Sequence, residues 1–284
     1  MNRPDFDLHI HTTASDGLHT PDQIVDKAVA AGLRGIAITD HDTVAGIAPA
    51  LAYMDSSRIH LNLIPGIELN TEYKGKEVHI LGYYIEVNNG EFNQRLEEIR
   101  AARTTRGAQI VARLNQLGLP LSLAEVQAYA AGESLGRPHI ARALVHRGYT
   151  DSVEEAFNLY LEKGKPAYVP RYKFTPQEAI QWVKKAGGIS VLAHPGLIKD
   201  EHIVDEVLSM GIEGLEVFHP QHTYMDSRNY LHKTRQSQLL VTGGSDFHGE
   251  GQRKGKQAVG MTGINMVEWQ RIWNYKLTKS VVRQ

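Results

Sequence analysis

Seven short apolar runs, most of them followed by a capped helix, set the tightest limit on what this chain can fold into. Residues 5–10 form the first run. Thr20-Pro21-Asp22-Gln23 then opens a helix: Thr20 can cap it, Pro21 suits the first turn, and Gln23 can complete a capping box. Gly32 falls where that helix should stop. Residues 34–39 form the second run, with a helix from about Thr43, and residues 61–69 and 77–84 read as the third and fourth strands. Further on, Thr175-Pro176-Gln177-Glu178 repeats the helix-opening pattern, Gly187-Gly188 closes it, and residues 189–193 have the character of a buried strand. Residues 211–218 and 239–242 supply two more, each with a helix before it. Alternation of this kind predicts an α/β protein with a parallel sheet covered by helices. Closed into a ring, the sheet is a TIM-like barrel with one unit missing; left open, it is a doubly wound sheet.

The alternation breaks once. Residues 91–165 carry helical signals and no strand pattern. A long charged segment has apolar positions at Leu96, Ile99, Ile110 and Leu114, and Ser122-Leu123-Ala124-Glu125 and Ser152-Val153-Glu154-Glu155 are two further capping boxes. The expected organisation is a barrel built from residues 1–90 and 166–284, with an all-helical insertion, 91–165, docked over its mouth.

Composition excludes several classes. The 284 residues include no cysteine, so there is no disulfide framework, thiolate zinc site or cysteine nucleophile. No stretch approaches the roughly 20 apolar residues of a membrane helix, and the first residues lack a signal-peptide core. A cytoplasmic protein without a membrane partner is expected. The formal net charge of −1 argues against a broad basic face for long nucleic acid, though not against a small phosphorylated ligand.

The anomaly is 14 histidines, and many of them fall at strand ends. His9 and His11 end the first strand, two apart and hence on one side of it. Asp16 follows in the loop. Asp40-His41-Asp42 ends the second strand, Glu68 ends the third, and His79 lies inside the fourth. His194 ends the fifth, Glu216 and His219 stand near the end of the sixth, and Asp246 and His248 end the seventh. Parallel barrels gather their active-site residues at this end of the strands. Imidazole and carboxylate without thiolate suit zinc, manganese or iron in a catalytic site, and nine such ligands are enough for two or three ions. The remaining histidines, His19, His60, His146, His202, His222 and His232, read as surface residues. Trp182, Trp269 and Trp273 read as packing residues.

His9-Ile10-His11 with Ser15-Asp16-Gly17, Ile38-Thr39-Asp40-His41-Asp42 and Pro65-Gly66-Ile67-Glu68 resemble the first motifs of the polymerase-and-histidinol-phosphatase (PHP) superfamily. Ala193-His194-Pro195 and Gly244-Ser245-Asp246-Phe247-His248 resemble its last two. Within it, the helical segment and Gly164-Lys165-Pro166-Ala167-Tyr168-Val169-Pro170 are most similar to the TrpH-like (RNase AM) group of 5′-to-3′ exoribonucleases and 3′,5′-nucleoside bisphosphate phosphatases. The resemblance implies a distorted (βα)7 barrel with three divalent ions: manganese first, with zinc, iron(II) or magnesium as alternatives. It implies that His9, His11, Glu68 and Asp246 hold the first ion. Glu68, His79 and His194 would hold the second, and Asp16, His41 and His248 the third. Asp40 and Asp42 fall outside this set and are expected to orient His41 or cap the next helix. A hydroxide between the first two ions would attack phosphorus, and His219 is a candidate proton donor to the leaving oxygen.

Arg103 and Arg106 lie three apart on the long helix, and Arg137 stands just before a helix start, where amides also favour anions. By the same resemblance Arg103, Arg106, Arg137 and His139 would hold substrate phosphate, with Lys165 and Tyr168 as lesser candidates. The expected activity is hydrolysis of the 3′-phosphate of a 3′,5′-nucleoside bisphosphate, or 5′-to-3′ digestion of short 5′-phosphorylated RNA, by a protein that can act as a monomer. Histidinol-phosphate phosphatase is the alternative enzyme, and a metal-binding regulatory module the alternative without catalysis.

Overall fold

A computed structural model describes residues 3–130, 135–170, 174–251 and 257–281. Its framework is one seven-stranded sheet whose spatial order follows the sequence. β1 (Phe6–Ile10), β2 (Gly35–Ile38) and the first part of β3 (Asn62–Tyr73) are parallel, as are β5 (Ile189–Leu192), β6 (Gly214–Phe218) and β7 (Leu240–Gly243). Ile10 bridges Phe247 just beyond β7, so the sheet nearly closes on itself. The fold is a distorted TIM-like barrel.

One strand departs from the expected parallel sheet. β4 (Lys76–Tyr83) runs antiparallel to both β3 and β5. The reason is local: Lys74 and Gly75 both have positive φ, 48° and 77°, and make a two-residue hairpin that leaves no room for a crossover helix. The reversal has a functional consequence. Parallel strands offer their C-terminal ends to the mouth, whereas β4 offers its first half. His79 therefore pairs with Asn70 on β3 and reaches the mouth from mid-strand.

Helices cover the sheet. α1 (Pro21–Ala30) begins as its capping box requires, with Gln23 Oε1 accepting from Thr20 N–H at 3.1 Å, and ends at Gly32 with φ +66°. α2 (Ile47–Ser56) starts later than expected, because Asp42 takes φ 55° and Thr43 turns back to accept from Ala45 N–H. α7 (Pro176–Lys185), α8 (Glu201–Leu208), α9 (Tyr224–Gln236) and α10 (Met266–Val281) complete the outer layer. Ile180, Val183, Val204 and Val207 pack on Ile67, Val78, Leu192 and Leu215 of the sheet. Trp269 of α10 stacks on Phe6 at 4.8 Å.

Between β4 and α7 come α3 (Gly90–Gln116), α4 (Leu123–Gln127), α5 (Arg137–His146), α6 (Val153–Ala156) and a π-helical turn, Phe157–Leu161. α3 has two apolar stretches. Phe92, Leu96 and Ile99 join the core against the sheet, while Ile110, Val111 and Leu114 join a separate core with Ile140, Leu144 and Leu161. Arg103 and Arg106 fall between the stretches, where α3 passes from one core to the other. Among the described residues, no helix is long and apolar enough to cross a membrane.

Candidate metal centre

The strand ends bring nine ligand-type side chains together, all buried or nearly so. His9 and His11 project from β1 and its end, and their Nε2 atoms both approach Glu68 Oε2, at 3.3 and 3.2 Å. The same two nitrogens stand 3.5 and 3.3 Å from Asp246 Oδ1. Glu68 reaches the other way with Oε1, 2.8 Å from His79 Nδ1 and 3.0 Å from His194 Nε2. Asp16 lies 3.3 Å from His248 Nε2 and 4.0 Å from His41 Nε2. Among the described residues, ligand atoms close enough to share an ion fall into three groups: His9, His11, Glu68 and Asp246; His41, Glu68 and His79; and His11, Asp16, His41 and His248. The first coincides with the expected first set. In the second, His41 joins Glu68 and His79 where His194 was expected, and in the third His11 joins the expected Asp16, His41 and His248.

The backbone is shaped to make this convergence possible. His194 and Asp246 adopt positive φ, 26° and 50°, unusual for residues with a Cβ and typical of strained functional positions. The turn after β7 passes so close to β1 that a Cβ on Gly244 would lie 2.3 Å from His9 Cβ. Only glycine allows that approach.

Electrostatics test whether the pocket fits cations. Burial alone would keep Glu68 neutral, but His41, His9 and His79 outweigh it and hold the carboxyl well below its usual range. Burial is likewise overcome at Asp16 by His248 and His41. Burial also opposes a charged His11, yet Asp246 and Glu68 lift it to about 9, whereas burial dominates at His41 and pushes it down to about 4. His9 Nε2, His11 Nδ1, His79 Nε2 and Glu68 Oε2 are buried yet make no hydrogen bond. Buried polar atoms of that kind demand a partner. A ring of lone pairs aimed at shared points, over ionised carboxylates, fits divalent ions held by nitrogen and oxygen.

A second layer of carboxylates orients the ligands. Glu216, fully buried on β6, accepts from His9 Nδ1 at 3.0 Å and from His194 N–H at 2.7 Å. Asp7 accepts from Ser245 N–H and Gly260 N–H, both at 2.8 Å, tying β1 to the loops after β7. Asp40 accepts from Thr12 N–H and from the hydroxyls of Thr12 and Ser15, which fixes the loop carrying Asp16. Asp42 accepts from Asn70 N–H and Nδ2, and Asn70 Nδ2 also lies 3.0 Å from His41 Nδ1. Asp42 thus bears on His41 through Asn70.

His219 is held at both ends of its ring: Nδ1 accepts from Gln221 N–H at 3.2 Å, and Nε2 meets Asp246 Oδ2 at 3.2 Å. With Nδ1 accepting, the ring proton sits on Nε2 and points at Asp246.

A cleft opens from the centre and is lined by Asp16, His41, Asn70, His79, Arg103, Arg106 and Arg137 among others. Arg103 bonds Asp42 and the Leu135 carbonyl, Arg106 Nε donates to the Val169 carbonyl at 2.8 Å, and Arg137 pairs with Glu77 at 2.5 Å. His139, Lys165 and Tyr168 do not line the cleft. His139 is fully buried, and its Nδ1 accepts from Gly136 N–H at 3.0 Å, closing the start of α5. Lys165 is exposed, and the Tyr168 ring sits against the Arg106 guanidinium at 5.9 Å.

Sequence reasoning passed over Asn70 and Arg142, whose Nη2 donates to the Asp16 carbonyl at 2.6 Å. One of the histidines read as surface residues, His222, is tied in near the centre, while His19 pairs with an exposed glutamate. His222 accepts from Gly196 N–H and sits beside the Val217 carbonyl and the His219 ring, which braces the turn after His194. His19 Nε2 lies 2.6 Å from Glu250. The spacing of His219 and His222, three apart after a strand, was the one available signal.

A family model described as the PHP domain matches residues 7–226. The chain is 37% identical to the 5′-3′ exoribonuclease Rnm of Escherichia coli, over 86% of this chain and 85% of that protein. It is 33% identical to the 3′,5′-nucleoside bisphosphate phosphatase of Chromobacterium violaceum, over 90% and 91%. A crystal structure from Bifidobacterium adolescentis, assigned as a metal-dependent phosphoesterase, superposes with a TM-score of 0.85 at 32% identity, covering 95% of this chain and 96% of that one.

Proposed function

The chain belongs to the PHP domain family, and from that premise we propose that it is a metal-dependent phosphoesterase of 5′-phosphorylated nucleotides. It removes the 3′-phosphate of 3′,5′-nucleoside bisphosphates and releases nucleoside 5′-monophosphates from the 5′ end of short RNA. The names of the relatives support both substrates. The observation that carries the reading is one cleft whose walls include His41, Asp16 and His79 together with Arg103, Arg106 and Arg137.

His9, His11, Glu68 and Asp246 would hold one divalent ion, Glu68, His79 and His194 a second, and Asp16, His41 and His248 a third, with manganese the proposed metal. Such ions supply Lewis-acid neutralisation of phosphoryl oxygens and make water a nucleophile at neutral pH. The residues do the rest. The three arginines bind the 5′-phosphate, which carries about two charges and suits planar guanidinium forks. Carbonyls and carboxylates already hold those guanidiniums, so little side-chain freedom remains to be lost on binding. Fixing the 5′-phosphate sets the 3′-phosphoester over the ligand cluster. His219 positions Asp246 with its Nε2 proton. The segment 91–165, which supplies the arginines, is proposed as the substrate-binding part of the molecule. The same reading makes the protein a cytoplasmic enzyme that needs no second copy, since both walls of the cleft come from one chain.

The test is phosphate release and product analysis on adenosine 3′,5′-bisphosphate, a 5′-phosphorylated RNA trimer and histidinol phosphate, with manganese, beside His9→Ala. Hydrolysis of the first two, abolished in the variant, is expected. Turnover of histidinol phosphate alone would overturn the assignment.

A further inference from the structure

The ligand cluster opens into a second cleft that the proposed chemistry on a bisphosphate leaves unused. It is larger than the first, and it also contains Asp16, His41, Pro138 and Phe157. From there the walls differ. The first cleft is built by α3, the β3–β4 hairpin and the start of α5. The second is built by Arg142 of α5, Ser152, Val153 and Glu154 at α6, Gln221 after β6 and His248 after β7. The two therefore flank one stretch of the centre, with Phe157 between them and the Arg137 guanidinium on its ring at 5.4 Å.

The chemistry of the two substrates assigns the space. With the 5′-nucleotide in the arginine cleft, the scissile phosphorus stands at the cluster. In a bisphosphate nothing lies beyond it. In RNA that phosphorus carries the O5′ of the next nucleotide, which cannot turn back into a filled cleft. The charges fit the same division. The second cleft offers Arg142 against Glu154 and Glu162, so it is no seat for a further phosphate dianion. Its hydroxyl, amide and aromatic groups match ribose hydroxyls and a base edge instead.

We propose that this second cleft is the subsite for the nucleoside immediately 3′ of the scissile phosphodiester. The proposal rests on the function argued above and deepens it, because the site then takes a diester and not only a terminal monoester. In the step, water adds its oxygen to phosphorus, the P–O3′ bond breaks, and O3′ leaves with a proton. The products are a nucleoside 5′-monophosphate in the first cleft and an RNA with a new 5′-phosphate in the second. That product is the next substrate, one register short.

The experiment fills the second cleft from two positions, with Glu162→Trp and separately Val153→Trp. Each variant is assayed with manganese on adenosine 3′,5′-bisphosphate and on a 5′-phosphorylated diribonucleotide. The proposal expects kcat/KM on the diribonucleotide to fall at least tenfold while that on the bisphosphate changes less than twofold. Activity retained on the bisphosphate also reports that the variant is folded. Equal losses on both substrates in both variants, or no loss on the diribonucleotide, would overturn the subsite. Wild-type protein that hydrolyses the bisphosphate but not the diribonucleotide would overturn it too. Wild-type protein that hydrolyses neither would instead overturn the function on which it rests.

Discussion

Replacing Glu216 by glutamine should separate metal binding from folding. Glu216 faces two donors, His9 Nδ1 at 3.0 Å and His194 N–H at 2.7 Å, and its two oxygens accept from both. Glutamine has one oxygen. The His194 donor is backbone and cannot change, so the amide oxygen goes there and the amide N–H2 faces His9. His9 then adopts the tautomer with its proton on Nε2, the nitrogen that points at Glu68 and Asp246. Both hydrogen bonds survive, although one charge-assisted pair becomes neutral, a loss of about 1 kcal/mol. The lone pair aimed at the ion is gone, and changes behind a ligand of this kind typically lower metal affinity about 10–100-fold. Glu216→Ala is the contrast: it leaves two buried donors without acceptors, at about 1–3 kcal/mol each. The assay pairs thermal melts of metal-stripped protein with manganese titration and elemental analysis after dialysis. Glutamine should melt near wild type and bind metal weakly, and alanine should fail on both counts. A glutamine variant with wild-type metal affinity, or one as unstable as alanine, would refute the reasoning.

Arg137→Ala should lower kcat/KM for adenosine 3′,5′-bisphosphate by about 10–100-fold, the loss of one charged hydrogen-bonding partner, with metal content unchanged by elemental analysis. Unaltered kinetics would remove Arg137 from the site. His219→Ala should slow hydrolysis of an activated aryl phosphate as much as that of the nucleotide, because the ring serves Asp246. A loss confined to the nucleotide, with its poor leaving group, would restore His219 as proton donor. His139 gives a pH prediction: burial pushes it from 6.5 down to about 4. The unfolded chain then binds the proton more readily, so this contribution is complete above pH 6.5 and is lost as pH falls toward 4, about 3 kcal/mol in all. His139→Gln keeps an acceptor for Gly136 N–H, and urea melts across that window should show a flatter pH dependence than wild type. An identical dependence would mean that another group titrates.

The order of strands and helices was legible because it rests on short-range chemistry. Thr20 and Gln23, or Thr175 and Glu178, fix a helix start wherever the rest of the chain goes. The ligand-type residues were legible for a similar reason: a strand presents His9 and His11 on one side, and strand ends in a parallel barrel meet at one mouth. The direction of β4 was harder to read, although its cause is two residues long, because strand patterning carries no arrow. Lys74-Gly75 turns the chain back, and His79 arrives from mid-strand. Other features belong to tertiary structure alone. Glu216 serves His9 from 207 residues away. Asn70 reaches His41, Arg142 reaches the loop of Asp16, and His139 turns inward to the start of its own helix. Those pairings depend on which side chains share a buried, weakly screened space after folding, where an unmatched polar atom is costly. Local spacing names the residues that can bind a cation; only closure of the barrel decides which lone pairs point at the same place.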